Sequence, residues 1–191
     1  MKKILFLILF THSLAFAEIS GINIATAAFE RTKSIVIYDG SYVKIDYPNG
    51  DVSPQRGVCS DVVIRTYRSL GIDLQKNVHE DMVANFDAYP SRRIWGLTRT
   101  DTNIDHRRVP NLQAFFQRHG TALAISQDHQ DYQPGDLVTW MLPGNLPHIG
   151  IVSDKKSNNG IPLIVHNIGL GPKLENMLFR YKITGHYRYR G

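Results

Sequence analysis

Helical periodicity in the first two thirds of the chain, followed by short β-branched runs in the last third, predicts an α+β fold with segregated layers. The expected arrangement is a set of N-terminal helices packed on a small antiparallel sheet. In the front part, Ile22, Ala25 and Phe29 recur at helical spacing, as do Val63, Tyr67 and Leu70. From Asp136 onward, runs of Leu, Val, Ile and Thr are separated by Pro, Gly, Asn and Asp, the punctuation of successive antiparallel strands. The 191 residues contain no internal repeat, low-complexity tract or long linker, so residues 18–191 are expected to form one domain. A chain 42% hydrophobic and 20% charged is globular, which excludes a disordered, collagen-like or coiled-coil protein.

The first segment reads as an address. Lys2 and Lys3 precede an apolar run from Ile4 to Phe10, and Ala15-Phe16-Ala17 offers a small-x-small cleavage site. Together these make a secretory signal peptide over residues 1–17, removed after Ala17. The apolar run is well short of the roughly 20 residues that a membrane span needs. Export would deliver the protein to a periplasmic or extracellular compartment.

The mature elements follow in order. Ile22 to Lys33 is predicted as a helix, and Ser34 to Tyr47 as a β-rich aromatic stretch broken by Asp39-Gly40. Pro48 to Asp51 is a turn, leading into a loop through Ser53-Pro54. A second helix should run from Cys59 or Ser60 to Leu70, ended by Gly71. Leu74 to Asn85 suits a third, more polar helix. Pro90 to Pro110 reads as a loop holding the basic pair Arg107-Arg108, and Pro110 to His119 as a fourth helix closed by Gly120. The expected strands are Asp136–Leu142, His148–Val152 and Leu163–Val165, with Lys155 to Gly160 as a loop insertion. Met177–Tyr181 and His186–Tyr189 are candidates for one or two more.

The 22 basic and 17 acidic residues give a formal charge of +5, but they are scattered and form no basic arm. Nucleic acid is therefore not the expected partner. One cysteine, Cys59, excludes an internal disulfide and a cysteine-rich zinc site. In an oxidising compartment a lone thiol is either buried and inert or kept for its chemistry. Cys59 stands where Gly57-Val58 gives way to an amphipathic helix, and a helix N-terminus favours a thiolate. Asp61, in the first turn, would oppose that thiolate unless it is paired elsewhere. His148 begins one predicted strand and His166 ends the next. Because neighbouring strand residues face opposite ways, only one of His166 and Asn167 can face His148. Cysteine, histidine and a third polar group are the parts of a thiol nucleophile with its base and the residue orienting that base.

Two resemblances sharpen the reading. Pro134-Gly135-Asp136-Leu137-Val138, His148-Ile149-Gly150-Ile151-Val152 and Ile164-Val165-His166 resemble the NlpC-type papain-like cysteine peptidases, which cut amide bonds in bacterial cell-wall peptides. That resemblance implies a papain-like core with Cys59 as nucleophile, His148 as general base and acid, and His166 as its orienting residue. The usual glycine after the nucleophile's serine is here Asp61. Longer stretches resemble domain-of-unknown-function family 1287: Gly57-Val58-Cys59-Ser60-Asp61, Asn103-Ile104-Asp105-His106-Arg107-Arg108-Val109-Pro110, His166-Asn167-Ile168-Gly169 and Thr184-Gly185-His186-Tyr187-Arg188. That family implies the fold and the site more than a substrate.

Other residues carry weaker expectations. Gln55 could donate to an oxyanion, and Asn167 could replace His166. Arg107 or Arg108 could hold a substrate carboxylate unless local aspartates claim them. The expected function is a cysteine hydrolase acting on an amide bond in peptidoglycan stem peptides, through a thioester and without metal or organic cofactor. A monomer that binds peptide substrate is the expected form. The alternatives are a non-catalytic module that binds cell-wall peptide, and a thiol acyltransferase or transpeptidase.

Overall fold

A computed structural model describes residues 19–191, so the expected signal peptide lies outside the described residues. Five α-helices lie ahead of the main sheet among the described residues. They are α1 (Gly21–Arg31), α2 (Cys59–Ser69), α3 (Leu74–Ala84), α4 (Ser91–Trp95) and α5 (Val109–His119). Three of them start where a donor is capped by a side chain or dispensed with by proline. Ser20 accepts from the Asn23 N–H at α1, Asp73 accepts from the Lys76 N–H at α3, and Pro110 occupies the first turn of α5. At α2 the residue before the helix is Val58, which has no side-chain acceptor. Asp61 reaches back instead and accepts the Val58 N–H at 2.6 Å.

The strands are β1 (Ile37–Tyr38), β2 (Arg56–Gly57), β3 (Thr121–Ala122), β4 (Leu137–Leu142), β5 (Leu146–Lys156), β6 (Pro162–His166), β7 (Lys173–Glu175) and β8 (Lys182–Arg188). The last six form one antiparallel sheet in the order β3-β8-β4-β5-β6-β7, while β1 and β2 make a separate parallel pair. Alternation along each strand divides the apolar side chains between two cores. Leu137, Ile149, Ile151, Val165 and Tyr187 face the helices with Val63, Tyr67, Leu112 and Phe116. Val138, Trp140, Val152 and Ile164 face the other way, against Met177, Leu178 and Ile183. Each fully buried Leu, Ile or Phe in these cores contributes about 1.5–3 kcal/mol relative to exposure. Among the described residues no helix is long and apolar enough to cross a membrane.

The helices-then-sheet order and the α+β layout agree with the sequence expectation. Several elements differ. Ser34–Tyr47 forms only the two-residue β1, because Ile35, Ile37, Tyr42 and Val43 stay exposed and no layer covers them. The stretch before α5 is not all loop, since α4 and a 3₁₀ turn at Asp105–Arg107 interrupt it. β5 continues through Lys156, so the expected insertion shrinks to a tight turn in which Gly160 takes φ 77°. Met177–Tyr181 is not a strand. Met177 and Leu178 instead plug the second core, and the Leu178 carbonyl accepts the Trp140 indole N–H at 2.9 Å.

Candidate active site

Cys59 is the first residue of α2 and is 4% exposed. The amphipathic face of that helix packs it against β5, where the Ile149 backbone N–H points to its sulfur. The thiol thus lies at the level of the His148–Ile149 peptide. The N–H groups of Cys59 and Ser60 also point to it, as expected of unpaired donors in a helix's first turn. The thiol forms no hydrogen bond with an imidazole in the resting structure.

His148 turns to the opposite side of β5 from Ile149, towards β6. Its Nε2 lies 3.0 Å from His166 Nδ1, with the rings perpendicular and their centroids 5.2 Å apart. His166 Nε2 in turn lies 2.9 Å from Glu175 Oε2 on β7. Both histidines are buried, at 2% and 0% exposure. Neighbouring strands deliver this line, because antiparallel pairing of β5, β6 and β7 places the three side chains on one face. Gly150 makes the pairing possible. A Cβ there would come within 2.6 Å of Ile164 Cγ2 and 3.1 Å of His166 Cβ.

The hydrogen bonds fix the tautomers. A carboxylate only accepts, so His166 Nε2 carries the proton that Glu175 receives. Burial lowers the His166 pKa, more than the opposing pull of Glu175 can restore, so the ring is neutral and its Nδ1 is an acceptor. His148 Nε2 must then donate to it. Burial, with a smaller push from His166, takes the His148 pKa down to about 3. The neutral His148 therefore keeps a bare Nδ1, the one nitrogen of the line free to take a proton.

The thiol itself departs from the sequence expectation. Its position at a helix start suggested a stabilised thiolate, yet its pKa is pushed up to about 11. Burial is the largest cause and Asp61 adds to it, together outweighing the N–H groups that favour the anion. The resting pair is a neutral thiol and a neutral imidazole.

Asp61 and Arg107 explain how the start of α2 is held. Arg107 Nε and Nη2 grip the two Asp61 oxygens at 2.8 and 2.9 Å, both side chains being buried. Arg107 also donates to the Ser41 and Asp39 carbonyls, and its own carbonyl accepts the Ser60 hydroxyl at 2.8 Å. This clamp corrects the expectation that Arg107 is free for substrate. Arg108 is not free either, since it pairs with Asp105 at 2.9 Å and lies over the Trp95 ring at 4.5 Å. Asn167 donates to the Gly57 carbonyl at 3.3 Å, which leaves His166 as the residue that meets His148. Gln55 is exposed and its Oε1 accepts from Ser53 at 2.8 Å, so it braces its own loop.

Two side chains escaped the sequence reading. Glu175 sits on a three-residue strand that no periodicity marks. Its one sequence signal is the turn-forming run Gly169-Leu170-Gly171-Pro172, which folds the chain back on β6. Tyr38 stands near Cys59 and Asp61, and its pKa is raised to about 12 by burial first and by the charge that these two carry when ionised. No spacing in the sequence relates it to Cys59. Among the described residues no cluster of His, Cys, Asp and Glu is arranged to hold a metal ion.

Residues 25–189 match the family described as Domain of unknown function (DUF1287). The chain belongs to that family. This DUF1287 member is 51% identical over 170 residues to the uncharacterized protein YijF of Escherichia coli strain K12, covering 89% of this chain and 82% of that protein. Solved structures similar to it include NlpC1 of Trichomonas vaginalis, with a TM-score of 0.47 and 17% identity over 93% of this chain. NlpC2 of the same organism gives 0.46 and 16% over the same share. The chain spans 46% and 49% of those two proteins, under half of either.

Proposed function

We propose that this DUF1287 protein is an exported cysteine hydrolase that cleaves an amide bond in peptidoglycan stem peptides. The observation that carries the reading is the ordered line from Glu175 through His166 to His148, the chain neighbour of Ile149, whose backbone N–H points to the Cys59 sulfur. Because the resting thiol is neutral, attack and proton transfer proceed together. Sγ bonds to the carbonyl carbon as its proton passes to His148 Nδ1. The Cys59 and Ser60 N–H groups, with the Tyr38 hydroxyl, are the donors available to the oxygen that gains charge. His148 then protonates the departing amine, leaving a thioester on Cys59. A water that gives its proton to His148 releases the acid and restores the thiol. Throughout, His166 and Glu175 orient the ring, and the carboxylate favours the imidazolium that forms.

The buried, protonated thiol favours a second reading, a module that binds cell-wall peptide without cutting it. Digestion of purified sacculi, with products read by mass spectrometry, separates the two. Wild type is expected to release or shorten stem peptides, while Cys59→Ala folds normally and releases none. Identical products from both would remove the hydrolase reading. Retention of the protein on sacculi would then support the binding module. Products joined to an added amine instead of water would point to acyl transfer.

A further inference from the structure

A cleft of about 280 Å³ runs along one flank of α2, from Val58 at its start to Ser69 at its end. It is separate from the His148–His166 line but begins at the residue preceding the nucleophile. Three arginines, Arg31, Arg65 and Arg68, reach its wall. Two carboxylates lie there as well, and they are unequal. Asp61 is already held by Arg107, and Asp51 alone serves two guanidiniums, contacting Arg65 at 2.9 Å and Arg68 at 2.7 Å. Arg31 pairs with no carboxylate among the described residues. The Nε of Arg31 and the Nε of Arg68 are both buried without a hydrogen-bond partner.

Orphaned guanidinium donors are costly, because each loses its water without replacement. The last turn of α1 suits the charge of Arg31, since a helix C-terminus favours a cation. That preference does not occupy the Nε donor. What satisfies such a set is an anion with acceptor oxygens, and guanidinium matches carboxylate and phosphate alike. The remaining wall includes Val36, Val58 and Val62. That apolar lining suits a short aliphatic body behind the charge, and the volume is close to the lower end of small-ligand pockets at about 300 Å³.

We propose that this cleft binds a free carboxylate of a short peptide, with Arg31 as its counter-ion and Arg68 Nε as a further donor. The choice of peptide as ligand rests on the function proposed above. The cleft would then select substrates whose stem peptides keep an unblocked carboxylate, held near the end of α2, roughly 13 Å along the helix from Cys59. It supplies the substrate-facing cation that neither Arg107 nor Arg108 provides.

Isothermal titration on the Cys59→Ala protein measures this without turnover. The probes are a murein tetrapeptide with free carboxylates, the same peptide fully amidated, and inorganic phosphate. The free-carboxylate peptide is expected to bind at least about tenfold more tightly than the amidated one, the scale of one charge-assisted contact. Adding Arg31→Gln should erase that preference, while Arg31→Lys should keep part of it. Each variant's melting curve verifies its fold, and Arg31→Lys decides the matter if Arg31→Gln does not fold. Equal binding of both peptides, or a preference that survives removal of the Arg31 charge, overturns the proposal. Phosphate binding as tightly as the peptide overturns it too, by making the cleft a general anion site. A wild type that binds as expected but cleaves no sacculus would refute the hydrolase alone.

Discussion

In the proposed reaction, Glu175 and His166 carry much of the chemistry at the residue scale, although neither forms a hydrogen bond with the thiol. Glu175 sets the tautomer of His166, and His166 sets that of His148, so Nδ1 is the bare nitrogen of His148 only while both remain. Glu175→Gln retains an acceptor but not the charge that stabilises an imidazolium. Its kcat is expected to fall about tenfold or more with KM nearly unchanged, the signature of an interaction made in the transition state. His166→Ala removes the orienting group and should cost about a hundredfold or more in kcat. Steady-state kinetics on a soluble stem peptide reads both, and a rise in KM alone would reassign the pair to substrate binding. Cys59 and His148 were legible as candidates because a unique cysteine at a helix start and a histidine at the head of a β-branched run are local patterns. Arg107 was misread because its partner, Asp61, lies 46 residues away in the chain, and no local pattern reveals such a pairing.

At the scale of elements, the site depends on two joints. One is the Asp61–Arg107 clamp, which ties α2 to the 3₁₀ turn at Asp105–Arg107 and to the carbonyls of Asp39 and Ser41 next to Tyr38. Arg107→Ala leaves a buried carboxylate unpaired and is expected to cost about 3–5 kcal/mol, measured by urea unfolding. A loss below about 1 kcal/mol would mean that water or another cation replaces the guanidinium. The other joint is the close passage of β6 over Gly150. Gly150→Ala should cost about 1–3 kcal/mol through overpacking against Ile164. It should also lower activity beyond that loss, since the same Cβ presses on His166. The strands of this joint were legible in outline, as β-branched runs between turn residues. β7 was not, because three half-buried residues carry too short a pattern, and the plug at Met177–Leu178 imitated a strand.

For the whole molecule, buried neutral histidines make acid the expected weakness. His106 and His148 are brought down to about 3, in each case chiefly by burial, and His166 is lowered for the same reason. A depressed folded-state pKa means that the unfolded chain binds the extra protons first. The stability these groups contribute is therefore complete above about pH 6.5 and is lost as pH falls towards 3. Melting temperature should stay level from pH 8 to 7 and drop by more than about 5 °C by pH 4.5. A flat profile would mean that these rings are hydrated. The α+β architecture was readable because hydrophobic period reports burial, whereas the thiol's environment was not, since burial at a helix start depends on what packs over it. Cys59 is the proposed nucleophile of an amide-cleaving site, and Cys59→Ser probes that role with the least change in shape. The initial rate of stem-peptide cleavage should fall at least about a thousandfold in that variant while its melting curve stays close to wild type. Equal rates from wild type and Cys59→Ser would contradict it.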